Sequence, residues 1–155
     1  TCVVSSFVIM DPRWKHPFTA IVSGPTGSGK TVFTFRFIRE ATELISPPVD
    51  KIMYCYGEYQ PIFNEYPDVV FHEGLPDISQ FDGQHKILLI LDDLMSETND
   101  SVSNIFTWVS HHRNVSVMYL TQNFSRNLSS HEQWVWMPIT LSFSKIHEMR
   151  CKSVL

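Results

Sequence analysis

The sequence predicts an α/β fold with a mainly parallel sheet, and three observations predict it. Ile87 to Leu91 (ILLIL) is five apolar residues in a row, without the alternation of a half-exposed strand. Such a run marks a strand covered on both faces, as in a parallel sheet flanked by helices. Strand-like and helix-like segments alternate along the chain, which implies parallel pairing through right-handed crossovers. Between the first strand-like run and the first helical pattern lies a glycine-rich turn, a junction typical of α/β ligand sites.

The elements follow in order. The first 17 residues carry Pro12 and Pro17 and read as a lead-in segment. Phe18 to Ser23 is a short apolar strand that ends at Gly24. A helix is expected from Lys30 to about Ile45, with Phe33, Phe37, Ala41 and Leu44 on its buried face and Pro47 and Pro48 as its stop. Ile52 to Tyr56 and Val69 to Phe71 read as the next strands, followed by Ile87 to Leu91. Asn99 and Asp100 are N-cap candidates for a second amphipathic helix marked by Val102, Ile105, Phe106 and Val109. Val115 to Thr121 is another strand, and Pro138 to Phe143 reads as a last one. The chain thus divides into a lead-in (1–17), a core (18–123) and a divergent C-terminal tail (124–155).

Composition bounds the function. The chain has 155 residues, of which 43% are apolar, 18% charged and 13% aromatic, enough for one core. Disordered, collagen-like and disulfide-miniprotein classes are excluded. A formal net charge of -4 offers no broad positive field. Cys2, Cys55 and Cys151 form no CxxC pair, so reduced thiols and an intracellular location, nucleus or cytoplasm, are expected. The apolar stretch from Val3 to Met10 is too short to span a membrane, and no membrane partner is expected.

Gly24-Pro25-Thr26-Gly27-Ser28-Gly29-Lys30-Thr31 fits GxxxxGK[ST], the Walker A pattern. A triphosphate brings several negative charges that must be desolvated and held. Glycines let the backbone curl so that N–H groups point inward, and the helix starting near Lys30 adds its positive end. Lys30 is expected to reach the β- and γ-phosphates, and Thr31 to ligate Mg²⁺. The competing reading is a glycine-rich turn with no ligand.

Asp92 and Asp93 directly follow the ILLIL strand. Adjacent carboxylates at the end of a buried strand are costly unless something uses them. Asp92 is expected to hold Mg²⁺ through water, as in Walker B sites, and Asp93 to orient or deprotonate the attacking water. Alternatively the pair only opens a solvated loop or caps a helix. Gln122, after the Val115–Thr121 strand, suits a γ-phosphate sensor because its amide both donates and accepts. A plain polar turn is its alternative. About sixty residues separate Thr31 from Asp92, room for an inserted strand.

Phe18 to Thr31 (FTAIVSGPTGSGKT), Lys86 to Glu97 (KILLILDDLMSE) and Phe106 to Asn123 (FTWVSHHRNVSVMYLTQN) together resemble the FtsK–HerA superfamily of pumping ATPases. More narrowly they are similar to the DNA-packaging ATPases of poxviruses, other large DNA viruses and Polinton/Maverick-type elements. The resemblance covers about two-thirds of the chain, roughly Pro17 to Asn123. It implies a P-loop NTPase three-layer sandwich of the additional-strand type. In that layout the Val115–Thr121 strand lies between the phosphate-loop and Walker B strands. It further implies ATP hydrolysis with Mg²⁺, a homo-oligomeric ring, double-stranded DNA driven into a capsid, and a capsid protein as partner. Arg113 is the first candidate for an arginine supplied to a neighbour's γ-phosphate and Arg126 the second, against a solvated helix-end cation. Phe124 to Leu155 departs from the family pattern, and the C-terminal part reads as incomplete.

Two other functions stand beside the motor: a nucleotide-binding remnant without turnover, and a P-loop nucleotide kinase, for which no arginine-rich lid is visible. His147 and Cys151 are four apart, but no further ligands cluster with them for a structural metal. Trp134 and Trp136 read as core packing rather than base stacking.

Overall fold

The computed structural model describes residues 12–77, 79, 81–94, 105, 114–122 and 139–142. Its centre is a six-stranded sheet in which every neighbouring pair is parallel. In chain order the strands of this sheet are β2 (Thr19–Ser23), β4 (Lys51–Tyr56), β5 (Val69–Glu73), β6 (Ile87–Asp92), β7 (Val115–Thr121) and β8 (Ile139–Ser142). In space the order is β5-β4-β6-β7-β2-β8. β7 therefore lies between the strand that leads into the glycine-rich turn and the strand that ends in the acidic pair.

The apolar run of β6 is explained by two cores, one on each face. Leu88 and Ile90 join Ala20, Val22, Tyr54, Met118 and Leu120 on one face. Ile87, Leu89 and Leu91 join Met53, Cys55, Val115 and Val117 on the other. Register sets these rows: Met53, Leu89 and Val117 stand opposite one another across three strands. Each strand sends successive side chains to opposite faces, so a strand buried on both sides has no polar position left. The first face is covered by Phe35, Phe37, Ile38 and Ala41 of α1 (Lys30–Arg39) and α2 (Ala41–Leu44). The second receives helical Ile105 together with Phe81 and Leu94. Val102, Phe106 and Val109, the other marks of the expected second helix, lie outside the described residues.

The first helix differs from expectation in extent and in face. α1 ends at Arg39, Glu40 breaks it (φ -102, ψ 7), and Ile45 is already extended. Ile45 and Ser46 form β3, which pairs in parallel with β1 (Trp14–Lys15). Part of the expected lead-in is thus built into the fold. The Trp14 ring packs edge-on against Phe18 at 4.9 Å and Phe37 at 5.3 Å. The buried stripe takes in Thr34, Phe35 and Ile38 as well as Phe37 and Ala41, while Phe33 and Leu44 are only partly covered. A helix lying flat on a sheet buries a wider stripe than strict three–four spacing marks.

The strands of the central sheet agree with expectation to within a residue or two. β2 begins at Thr19, β4 at Lys51, β5 runs on to Glu73 and β6 to Asp92. Ile139–Ser142 pairs with β2, inside the segment expected to hold a last strand. No helix among the described residues is long and apolar enough to cross a membrane.

Candidate functional site

The exits of β2, β7, β6 and β4 lie side by side along the carboxyl edge of the sheet. Two backbone hydrogen bonds tie three of them together: Gly24 N donates to Thr121 O at 3.1 Å, and Asp93 N donates to Leu120 O at 3.2 Å. The glycine-rich turn and the acidic pair are therefore anchored on consecutive residues of β7. A Cβ placed on Gly57, just beyond β4, would stand 3.6 Å from Asp93 O, so the fourth exit also abuts the pair.

The turn is tight. Ser28 N donates to Pro25 O at 3.1 Å, and Gly27 (φ 77) and Gly29 (φ 88) both take the left-handed conformation that glycine adopts freely. A Cβ on Gly24 would sit 2.7 Å from Ser28 Oγ, inside contact distance. Pro25, Thr26 and Gly27 are exposed on the rim, whereas Lys30 is buried. The Lys30 ammonium donates to Gly24 O at 2.6 Å and Pro25 O at 3.0 Å, folding back over the turn. Thr31, partly buried, is the second residue of α1. The first turn of α1 carries no acidic residue and no side-chain cap, so its positive end is not neutralised locally.

Across β7 the two aspartates have distinct surroundings. Asp92 is 9% exposed, and Tyr54 Oη donates to its Oδ2 at 2.5 Å. Burial pushes the Asp92 carboxyl above the usual carboxylate range and the Asp93 charge adds to this, while the Tyr54 hydrogen bond and the Lys30 ammonium pull the other way. Asp93 is left-handed (φ 45), a conformation that Asp tolerates better than most residues. Its Oδ2 accepts from Gln122 Nε2 at 2.5 Å. Its Oδ1 is buried and has no hydrogen-bond partner among the described residues, and the same holds for Ser28 Oγ. Buried orphan oxygens are uncommon, and they gather here at the two sides of one edge.

The structure thus brings Gly24 to Thr31, Asp92, Asp93 and Gln122 to one edge. Arg113, Arg126, Trp134, Trp136, His147 and Cys151 lie outside the described residues. Cys55, whose thiol burial pushes up to about 12, is inert at neutral pH. Sequence reading missed Tyr54, taken only as part of the Ile52–Tyr56 strand. A buried tyrosine needs a partner for its hydroxyl, but which polar group meets it is set by strand pairing and leaves no local mark.

A curled backbone with one ammonium, facing two carboxylates and an amide, can hold a polyanion together with a divalent cation and orient a water. No family model matches the chain, and no curated protein matches it.

Proposed function

We propose that the chain binds ATP with Mg²⁺ and hydrolyses it, with the glycine-rich turn as phosphate loop and the twin aspartates as the hydrolytic side. The observation that carries this reading is the shared anchoring of Gly24 and Asp93 on β7, which sets a Walker A sequence and an acidic pair against each other across one strand. The orphan oxygens Ser28 Oγ and Asp93 Oδ1 fit a site that a solvated, magnesium-bearing ligand completes. Among the described residues no three His, Cys, Asp or Glu side chains gather to hold a metal. That suits magnesium, which takes one or two carboxylates plus substrate phosphates rather than a protein cage.

In this reading the turn from Gly24 to Thr31 binds the phosphates with the Lys30 ammonium and with backbone N–H groups after Pro25, those of Gly24 and Ser28 being used within the fold. Thr31 and Asp92 would hold the cation, Thr31 through its hydroxyl and Asp92 through water. When bound, magnesium neutralises charge that builds on the phosphoryl oxygens. Asp93 orients the attacking water and takes its proton. Gln122 fixes the Asp93 carboxylate through Oδ2, and the second hydrogen of its amide would sense the terminal phosphate. The strand order, with β7 between β2 and β6, supports the additional-strand layout of P-loop ATPases.

The finer reading is a ring motor that moves double-stranded DNA towards a capsid, with Arg113 completing a neighbour's site. It rests on the resemblance of the three motif segments. Phosphate release by the purified chain, with and without duplex DNA, tests both levels. The expected result is Mg²⁺-dependent release that duplex DNA stimulates and Lys30→Ala abolishes. Nucleotide binding without release would overturn the ATPase, and release that requires a nucleoside monophosphate would make the chain a kinase.

A further inference from the structure

Tyr54 belongs to none of the motif segments, yet its hydroxyl touches the acidic pair. Its ring is fully buried (0% exposed) on β4. Tyr56 stands opposite Asp92 across β4 and β6, so Tyr54 reaches Asp92 on the diagonal along the same face. The hydroxyl donates to Asp92 Oδ2 at 2.5 Å. On its other side the ring stacks on Phe35 of α1, centroids 5.3 Å apart and planes 14° from parallel. Phe63 and Phe71 close the remaining sides at 5.4 Å and 5.7 Å. Phenylalanine would fill this slot without a hydroxyl to desolvate. The hydroxyl is therefore explained by its partner and not by packing.

We infer that Tyr54 is a positioning residue for the cation side of the nucleotide site: it occupies Oδ2 of Asp92, fixes the plane of that carboxylate and leaves Oδ1 to face the water shell of a bound magnesium ion. This rests on the ATP reading above. Two consequences follow from the contacts. The aromatic stack locks the Tyr54 ring, so the hydroxyl has little freedom to leave Asp92. Phe35 lies on the helix that begins at Lys30, so one rigid side chain links the helix behind the phosphate loop to the carboxylate of the neighbouring strand. Asp93 is likewise held through its own Oδ2, by Gln122, and its buried Oδ1 has no hydrogen-bond partner among the described residues.

Partners that orient direct metal ligands typically contribute about 10- to 100-fold to metal affinity. Because Asp92 holds the cation through water, Tyr54 acts one step further out, so the lower end, about tenfold, applies. The test is calorimetric titration of the full chain with ADP, once with excess Mg²⁺ and once with EDTA. The ratio of the two affinities measures the coupling between nucleotide and magnesium. In Tyr54→Phe this ratio is expected to fall about tenfold, with the affinity in EDTA unchanged. A loss of fold or stability alone would lower both affinities together and leave the ratio intact. In an Asp92→Asn background, Tyr54→Phe is expected to change the ratio no further, because Tyr54 acts through that carboxylate. Tyr54→Met, which keeps apolar volume and carries no donor, is the second variant should Tyr54→Phe fail to fold, and the same loss is expected. Wild-type binding with Mg²⁺ coupling that either variant retains in full overturns the inference alone. No ADP binding by the wild type in either buffer overturns the ATP reading and the inference with it.

Discussion

Under the proposed ATPase reading, Asp93 is the residue that most of the chemistry depends on. It adopts φ 45, accepts from Gln122 through one oxygen and buries the other without a partner. Asparagine shares the tolerance for this backbone conformation and can still accept from Gln122, so Asp93→Asn removes charge while keeping shape. Turnover is expected to fall about 100-fold or more, with ATP affinity little changed, as read by steady-state phosphate release beside equilibrium binding. At the opposite end of the sheet, His16 Nδ1 lies 2.6 Å from Ser116 Oγ, which also accepts from Phe18 N at 3.0 Å. Burial, and then the nearby Lys86 charge, hold the His16 ring below its ordinary value of 6.5. As pH falls below that value the unfolded chain takes up a proton before the folded chain does. The stability tied to neutral His16 is thus fully present above 6.5 and is lost as pH drops from there through the folded value. His16→Asn is expected to flatten the decline in melting temperature between about pH 7 and 5.5.

At the scale of elements, β6 is the keystone of both cores. Leu88, Leu89, Ile90 and Leu91 are all 0% exposed, and they divide between the two faces. Leu89→Ala is expected to cost about 2–5 kcal/mol in urea unfolding, because close-packed neighbours on β4 and β7 cannot collapse into the space. Val70→Ala on the outermost strand β5, where the side chain is 40% exposed, is expected to stay within about 0.5 kcal/mol. The run ILLIL was legible as a strand because burial on both faces leaves a purely local mark. The stripe on α1 was harder to read. Phe35 is buried because it stacks on Tyr54 of β4 within the first core, a placement that leaves no trace in the spacing of Phe33, Phe37, Ala41 and Leu44. Ile45 follows the same logic, since it leaves the helix to pair with Trp14, a contact that spans thirty-one positions of sequence.

For the molecule as a whole, parallel pairing joins segments far apart in the chain, so no strand of the central sheet is stable by itself. Backbone amides of β6 and β7, central in the sheet and flanked by both cores, are expected to exchange only on global unfolding. Those of the two-stranded β1–β3 pair are expected to exchange sooner through local opening, which hydrogen-exchange mass spectrometry of the native chain would resolve. The same topology builds the site. Four strand exits reach one edge, and the chemistry-bearing residues Gly24 to Thr31, Asp92, Asp93 and Gln122 come together there because each ends or follows a parallel strand.

The amino-acid order by itself determined the α/β class, the strands of the central sheet, the glycine turn and the acid pair, because side-chain period, glycine placement and strand-end charge are written in neighbouring residues. Only the tertiary structure decided that Tyr54 holds Asp92, that Gln122 holds Asp93 and that Trp14 claims Ile45. These contacts join positions 38, 29 and 31 residues apart. The diagonal reach, register and packing angle that create them are properties of assembled strands and helices, which no local window of sequence contains.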